Sequence, residues 1–533
     1  MKIRPLELLL TSFFVVLAAV AGWIIVNDSV SDKSREKEKK VLNQLVTNSS
    51  HLDQQTNRSR TKSVGNFDQV PPLAHPNERL LQFATEEDYQ NFLSSLDGSK
   101  VRLRGRIDSL RAARVSFDRP SDLGDLGNSD DASFNFLVSL PLPPGDGQVQ
   151  AGAVGFGRNA LEWLGIDEDN SAWGEGVTLA VIDTGISEHP ALPENITHID
   201  LSGAEGATAD LNGHGTAVAS LIAGQNNITP GVSPSIQLID VRVADSSGLS
   251  TSFQLAEGIV AAVDAGADVL NISLGSLGDS PVVERAVEYA YEQGSIIVAS
   301  SGNQGIEQAA FPAGYDQVIA VGAVDQLGTL VDFSNTGESL DITAPGLEVP
   351  AAWTNDNYIS FTGTSASSPY VAGAIATAID QFGLTPQQAA DYVLEFSNEA
   401  GAPGQDPSFG QGHLDVGRVI DSQTSGINDI AAVSNLVNSE EGSSVISVVQ
   451  NQGTEFINNA EVTITTPFST IPLQVGRLAP GEIQTFDIPT TLPDSDTEFI
   501  ITTEATLNRA FRDAEPENNV ETTFFSAEVE SEQ

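Results

Sequence analysis

Residues 177–183 read VTLAVID, an apolar run that ends in a carboxylate. Similar runs follow along the chain: SIQLIDVRV at 235–243, DVLNISLG at 268–275 and SIIVAS at 295–300, each separated from the next by a stretch of helical periodicity. Strands that are apolar throughout and alternate with helices are typical of a parallel sheet covered on both faces. The sequence therefore predicts an α/β domain over 159–422, with functional groups at the carboxyl ends of its strands.

Three polar residues stand beside a turn or a helix start within this domain. Asp183 ends the first strand, His214 lies between two glycines in DLNGHGTAVASLIAG, and Ser365 opens the helical segment of FTGTSASSPYVAGAIATAIDQFG. Taken singly, they can be a turn or N-cap aspartate, a core histidine and an N-cap serine. Together they supply a nucleophile, a base that takes its proton and a carboxylate that holds the base's tautomer, in the chain order Asp, His, Ser.

The three blocks VTLAVIDTGI, NGHGTAVASLIAG and GTSASSPYVAG resemble those of the subtilases, the subtilisin-like serine proteases. The resemblance covers residues 159–422. It implies that Asp183 is the orienting carboxylate, His214 the general base and Ser365 the nucleophile. Asn303 in SIIVASSGNQG matches the family's oxyanion asparagine, which would act together with the Ser365 backbone N–H.

The resemblance also implies two edges that would present backbone to an extended peptide substrate, a form of β-augmentation. The side-chain preference of the primary pocket stays open. The residues expected at these edges are Ser273, Leu274 and Gly275 on one side and Ser300, Ser301 and Gly302 on the other.

Four positions depart from the family pattern without removing a triad member. Ala366 replaces the usual methionine after the nucleophile, and Ala217 and Tyr370 replace usual histidines. Ala191 replaces an aspartate that binds calcium in many relatives, so metal sites stay unknown and structural calcium stays open. The chemistry itself requires no cofactor.

The rest of the chain divides by composition. The run at 8–26 carries no charge and predicts a signal peptide or an uncleaved signal-anchor that would contact the membrane before processing. A propeptide-like α+β domain and a sandwich that resembles the CARDB-like adhesion module flank the catalytic domain; a spacer or folding cap is the alternative for the sandwich. The predicted segments are 1–27 signal or anchor, 28–75 disordered tether, 76–119 propeptide-like domain, 120–158 cleavable linker, 159–422 catalytic domain and 426–526 β-sandwich.

Charge divides the chain as sharply as composition does. The 533 residues carry a net charge of -47, yet residues 1–119 hold 18 basic and 14 acidic side chains. Such an acidic protein repels phosphate backbones, so nucleic acid is excluded as a partner. No cysteine is present, which excludes disulfides and thiol catalysis.

These observations predict a subtilisin-like parallel sheet with helices on both faces, preceded by a small α+β domain and followed by a β-sandwich. The expected function is an exported serine endopeptidase that is made as a zymogen and acts through an acyl-enzyme. Its partners would be protein or peptide substrates, its own propeptide and a surface ligand of the sandwich. Two rivals remain: a catalytically inactive fold used as a binding module, and an esterase with the same triad.

Overall fold

The computed structural model describes residues 70–123, 131–141, 144, 149–203, 212–438, 444–490 and 499–525. The predicted signal or anchor at 8–26 and nearly all of the predicted tether lie outside these residues. Within the described ranges, no helix is both long and apolar enough to cross a bilayer.

The N-terminal domain is a four-stranded antiparallel sheet with one helix packed on it, in the order β2-β3-β1-β4. Tyr89 and Phe92 project from the helix into a core that includes Phe83. The fourth strand, β4, comes from the region that the sequence predicted as a linker. The elements are β1 Glu78–Gln82, α1 Glu86–Ser95, β2 Arg102–Ile107, β3 Ala112–Ser116, β4 Asp131–Ser133 and, beyond the sheet, β5 Leu137–Ser139.

The central domain confirms the predicted α/β class. Its seven-stranded sheet runs β13-β12-β11-β10-β6-β8-β7, and every neighbouring pair is parallel. The elements are α2 Ala160–Trp163, β6 Thr178–Asp183, β7 Thr197–Asp200, α3 His214–Ala223, β8 Gln237–Arg242, β9 Leu249–Thr251, α4 Ser252–Asp264, β10 Val269–Ile272, α5 Pro281–Glu292, β11 Ile296–Ser300, β12 Val318–Val324, β13 Ile342–Pro345, β14 Val349–Trp353, β15 Asn357–Phe361, α6 Thr364–Phe382, α7 Pro386–Glu395 and α8 Val416–Asp421.

The two faces of this sheet build two separate cores. Leu179 and Val181 of β6 pack with α3 and α6 on one face, whereas Ala180 and Ile182 pack with α4 and α5 on the other. This alternation follows from the two-residue period of a strand and explains why β6 is apolar throughout. Strand order reverses at β6, which lies between β10 and β8. Ligand-binding crevices form at such switch points, outside the carboxyl ends of the strands.

The C-terminal domain is a sandwich of a three-stranded sheet, β16-β17-β20, and a four-stranded sheet, β19-β18-β21-β22. All the pairings within these sheets are antiparallel. Val445, Val462 and Ile501 from the two sheets meet in one apolar core. The strands are β16 Ile430–Asn438, β17 Ser444–Asn451, β18 Ile457–Thr465, β19 Thr470–Leu478, β20 Ile483–Pro489, β21 Phe499–Thr506 and β22 Val520–Phe525.

A buried arginine joins the sandwich to the central domain. Arg418 of α8 donates from Nη1 to the Ser397 carbonyl (2.7 Å) and to Asn398 Oδ1 (2.9 Å), and from Nε to the Gln452 carbonyl of the sandwich (3.1 Å). The Glu399 N–H also donates to a glutamine of the sandwich. Because these groups are buried, they form a fixed junction rather than a loose linker.

A second buried polar side chain, His413, ties the loop before α8 to the sheet edge. Its Nδ1 shares a 2.8 Å hydrogen bond with Thr343 Oγ1 of β13, and its ring packs against Trp163 and Phe409. Burial lowers the pKa of His413 from 6.5 to about 4. The side chain is therefore neutral in the folded protein at pH values where a free histidine would be charged.

We expect this histidine to make the fold sensitive to acid. Its neutral form contributes fully to stability above pH 6.5, and that contribution is lost as the pH falls from 6.5 to 4, because the unfolded chain then binds the proton more readily. The predicted loss in free energy of unfolding is about 1 to 3 kcal/mol. It is measured by urea denaturation of Ser365→Ala/His413→Gln beside the Ser365→Ala protein, in which the expected nucleophile is absent. If the free energies of unfolding of the two proteins fall in parallel as the pH is lowered, His413 is not the source of the acid sensitivity.

Candidate active site

The site begins with a buried carboxylate at the end of β6. Asp183 is fully buried, and its Oδ1 accepts hydrogen bonds from the Thr184 N–H (2.7 Å) and the Thr184 hydroxyl (3.2 Å). Nδ1 of His214 lies 2.9 and 3.0 Å from the two oxygens of Asp183. A buried carboxylate in this position holds the imidazole with its proton on Nδ1, which leaves Nε2 free to accept a proton.

Backbone geometry brings His214 to this place. Gly213, which precedes α3, has a φ of 92°, and a side chain there would collide with the Trp353 ring. A Cβ on Gly215 would lie only 2.5 Å from the Gly185 carbonyl oxygen. The two glycines of NGHG are therefore required for the first turn of α3 to approach the loop after β6. The Phe361 ring packs edge-on against the imidazole, with 5.3 Å between centroids.

Ser365 and Asn303 meet at the start of α6. Oδ1 of Asn303 accepts hydrogen bonds from the Thr364 N–H (2.9 Å) and hydroxyl (2.8 Å), an arrangement that fixes which end of the amide faces α6. The Ser365 hydroxyl lies 3.3 Å from the Ser273 carbonyl oxygen and donates to it in this structure. Helix α3, which begins at His214, and helix α6, which begins at Thr364, pack into one core on the same side of the sheet.

The four family departures lie in buried positions around this site. Ala191, Ala217, Ala366 and Tyr370 are each 2% exposed or less. They therefore fill core space rather than presenting polar groups to solvent. Among the described residues, no group of three or more His, Asp or Glu side chains could hold a metal ion.

A segment of the predicted linker lies along one predicted substrate edge. Ser139 and Gly275 exchange two backbone hydrogen bonds of 3.0 Å. On its other side, β5 pairs antiparallel with β9, and the Leu140 N–H donates to the Gly248 carbonyl (3.0 Å). Residues 137–140 thus occupy the middle of a three-stranded arrangement. The sequence predicted an exposed linker over 120–158, and within its described part residues 137–140 are instead docked by long-range backbone pairing.

Sequence analysis missed one of these two edges. Gly248 and β9 lie on the far side of the docked segment from Gly275, whereas the two edges predicted to line the cleft were Ser273 to Gly275 and Ser300 to Gly302. A signal was present, because SSGLST joins a turn to alternating residues immediately before α4. Edge pairing, however, depends on a partner more than 100 residues away in sequence, which local pattern does not identify.

The second predicted edge, Ser300 to Gly302, is engaged inside the domain. The Ser301 N–H donates to the Val321 carbonyl, and its hydroxyl donates to the Asn335 carbonyl. The Gly302 N–H donates to the Thr364 hydroxyl at 3.2 Å. These bonds fix the floor beside Asn303, and contact of Ser300, Ser301 and Gly302 with a peptide stays a prediction.

A parallel α/β sheet with a buried Asp–His pair and a serine at a nearby helix start defines the class of the serine hydrolases. The comparisons with known proteins narrow the class. The model of the Subtilase family matches residues 174–412. Subtilisin Savinase from Lederbergia lenta is 44% identical over 205 residues, 38% of this chain and 76% of that protein. The chain therefore belongs to the subtilase family.

Two further relatives extend the match beyond that domain core. Alkaline elastase YaB from Bacillus sp. (strain YaB) is 34% identical over 307 residues, 56% of this chain and 79% of that protein. The thermophilic serine proteinase of Bacillus sp. (strain AK1) is 36% identical over 252 residues, 46% of this chain but only 62% of that protein. The similarity to this last relative thus leaves more than a third of its length unmatched.

The position of Asn303 gives a prediction for its side chain. We expect Asn303→Ala to lower kcat by about 100- to 1000-fold with little change in KM, a range established for a subtilisin oxyanion-hole asparagine. The reason is that Nδ2 would donate mainly to the charge that develops in the transition state. Steady-state kinetics on a soluble peptide substrate measure both constants, with the exposed Asn458→Ala of the sandwich as the control. A change confined to KM would assign Asn303 to substrate positioning instead.

Proposed function

We propose that the protein is a serine endopeptidase that hydrolyses peptide bonds through an acyl-enzyme. The observation that carries the proposal is the buried Asp183–His214 pair, whose imidazole is held in the tautomer that a general base requires. In this mechanism His214 takes the proton of Ser365 as the hydroxyl attacks the peptide carbonyl. The imidazolium then gives that proton to the leaving amine, and a water molecule repeats the sequence to release the acyl group.

Two hydrogen-bond donors would stabilise the oxyanion of the tetrahedral intermediate. One is Asn303 Nδ2, whose orientation is set by the two bonds from Thr364 to Oδ1. The other is the Ser365 backbone N–H at the start of α6. A helix start has unpaired N–H groups and a partial positive charge, both of which favour an anion there. Asp183 accepts the hydrogen bond of the Nδ1–H and stabilises the imidazolium of His214.

The docked segment supports a peptide substrate over a simple ester. Residues 137–140 are held between Gly275 and β9 by main-chain bonds, the manner in which an extended peptide is recognised. An esterase has no need of two backbone edges. Labelling by a serine-directed phosphonate probe together with cleavage of an unstructured protein supports the proposal. Labelling without proteolysis would favour the esterase. The absence of both labelling and proteolysis would favour the inactive binding module.

We further propose that the enzyme is made as a zymogen and exported. The segment that pairs with the predicted substrate edge at Gly275 follows the N-terminal domain, which packs on α4. A Cβ on Gly105 of β2 would lie 2.6 Å from the Phe253 ring, and the Arg114 guanidinium lies 5.3 Å from the centroid of that ring. This close packing is typical of an intramolecular inhibitor. The uncharged run at 8–26 and the solubilising acidic charge of the remainder support export.

Maturation gives the first test of this zymogen. We expect self-cleavage between about Leu140 and Arg158, because Leu140 ends the docked segment, while Phe156 and Gly157 are again bonded to the catalytic domain. Ser365→Ala should abolish proteolysis and keep the uncut N-terminus with an intact fold. Mass spectrometry identifies the N-terminus of the wild-type and Ser365→Ala proteins, and circular dichroism compares their secondary structure. The same N-terminus in both proteins would refute self-cleavage, and near-normal turnover by Ser365→Ala would refute the nucleophile.

Inhibition in trans tests the N-terminal domain itself. Separately made residues 66–145 should inhibit the mature enzyme, and Gly105→Val should weaken inhibition by about 10- to 100-fold, because the new side chain displaces Phe253. Ser94→Val, on the exposed face of α1, is the matched control. Residues 66–145 carry 8 basic and 12 acidic side chains, so their long-range repulsion from the acidic enzyme should weaken, and the association rate should rise, as salt shortens the Debye length from ~10 Å at 0.1 M to ~3 Å at 1 M. Equal inhibition by the Gly105→Val and Ser94→Val fragments would contradict the proposed packing of Gly105 against Phe253. An association rate that does not change with salt would contradict the electrostatic contribution alone.

A further inference from the structure

A second histidine–carboxylate pair lies on the sheet beside the first. His198 of β7 and Asp240 of β8 are cross-strand partners, and His198 Nδ1 shares a 2.7 Å hydrogen bond with Asp240 Oδ2. This bond is at least as short as those between His214 and Asp183. The mechanism proposed above does not use this pair.

The sheet register brings Asp240 close to the catalytic carboxylate. Strand β8 runs parallel to β6 with Val181 opposite Asp240 and Asp183 opposite Arg242. Residues two apart lie on the same face, so Asp240 and Asp183 share a face, and strand geometry separates their Cα atoms by roughly 8 Å. The side chain of Asp240 is 2% exposed, and within the described residues its Oδ1 has no hydrogen-bond partner. A second carboxyl group, paired with an imidazole, is therefore held close to the active site in a poorly hydrated place.

Charged groups from every neighbouring element determine how this pair responds to pH. Burial raises the pKa of Asp240, the charge of Asp183 adds to that effect, and His198 and the Ile186 N–H oppose it. The pKa of His198 is raised, chiefly by its hydrogen bond to Asp240 and further by Glu188. At the ends of the same strands, the Arg242 guanidinium lies 3.8 Å from the Asp200 carboxylate.

We propose that Asp240 and His198 are positioning residues that set the charge around His214. In this proposal the buried negative charge of Asp240 stabilises the imidazolium form of His214, and the half-exposed imidazolium of His198 offsets part of that effect. The inference rests on the proposed function, in which His214 is the general base. As the pH rises and His198 loses its proton, the negative charge of Asp240 would no longer be offset and would act more strongly on His214.

The expected effect is measurable because it acts through a low-dielectric region. At an effective dielectric constant of about 20 and a separation of about 10 Å, one unit charge changes a protonation equilibrium by up to about tenfold. The acid limb of the kcat/KM profile reports the essential base of the free enzyme, so it is the correct observable. A residue with a purely structural role would lower activity at every pH without moving that limb.

The test compares pH profiles of kcat/KM for hydrolysis of a peptide substrate by the mature enzyme. We expect Asp240→Asn to move the acid limb down by about half to one pH unit. His198→Gln should move it up, because the glutamine amide still donates to Asp240 but carries no charge. In the double variant the His198→Gln effect should shrink, because without the Asp240 carboxylate His198 holds its proton less readily and has less charge to lose. The control is Asp391→Asn, which removes the same charge from the exposed side of α7 and should leave the limb unchanged.

The outcomes separate this inference from the function on which it rests. An inactive wild-type enzyme would refute the proposed function. If the wild-type enzyme cleaves the peptide, and the Asp240 and His198 variants have lower activity but an unmoved acid limb, only the electrostatic role is overturned. If Asp240→Asn fails to fold, His198→Gln still tests the proposal, because His198 is half exposed and its substitution does not disturb the core. An unmoved acid limb in His198→Gln overturns the proposal.

Discussion

The burial of Asp183 is the constraint on which the rest of the central domain depends. A carboxylate removed from water is costly unless hydrogen bonds replace its hydration. Here the replacements come from Thr184, which follows it in sequence, and from His214, which lies 31 residues later. The bonds to His214 form only if the first turn of α3 approaches the loop after β6, and Gly215 permits that approach. The position of the His214 imidazole is therefore a consequence of how α3 packs at the carboxyl end of β6.

Local sequence pattern was sufficient for the elements that carry their own signal. The apolar strands that end at Asp183 and Ser300 were predictable because burial on both faces removes the usual alternation. The docking of residues 137–140 was not predictable from that pattern. The Gly, Pro and Asp content of 120–158 indicated an exposed loop, and the structure pairs its middle with edges at Gly248 and Gly275. Long-range edge pairing depends on matching free backbone groups, and these have no compositional signature.

The sandwich illustrates a related limit. Short strands separated by NQG and APG turns indicated an all-β domain, and the structure forms two antiparallel sheets. Its attachment to the central domain depends on Arg418, a charged residue that a hydropathy pattern would place at the surface. In the structure the guanidinium is surrounded by the Ser397 and Gln452 carbonyls and the Asn398 amide. A buried arginine that spans two domains is specified by its acceptors, which come from two distant segments, residues 397–398 and Gln452.

The proposed zymogen follows from the same backbone edges that would bind substrate. Main-chain bonds to Gly275 and β9 recognise an extended chain with little regard to its side chains, so a covalently attached segment competes with substrate at a high effective concentration. Cutting the chain after the segment removes that advantage without altering any contact. What then holds the N-terminal domain, beyond the bonds that any peptide can make, is its own interface with α4, including the packing of Gly105 against Phe253. Under this proposal, release is governed by that interface, because the cleft bonds alone hold four residues and are equally available to every incoming peptide.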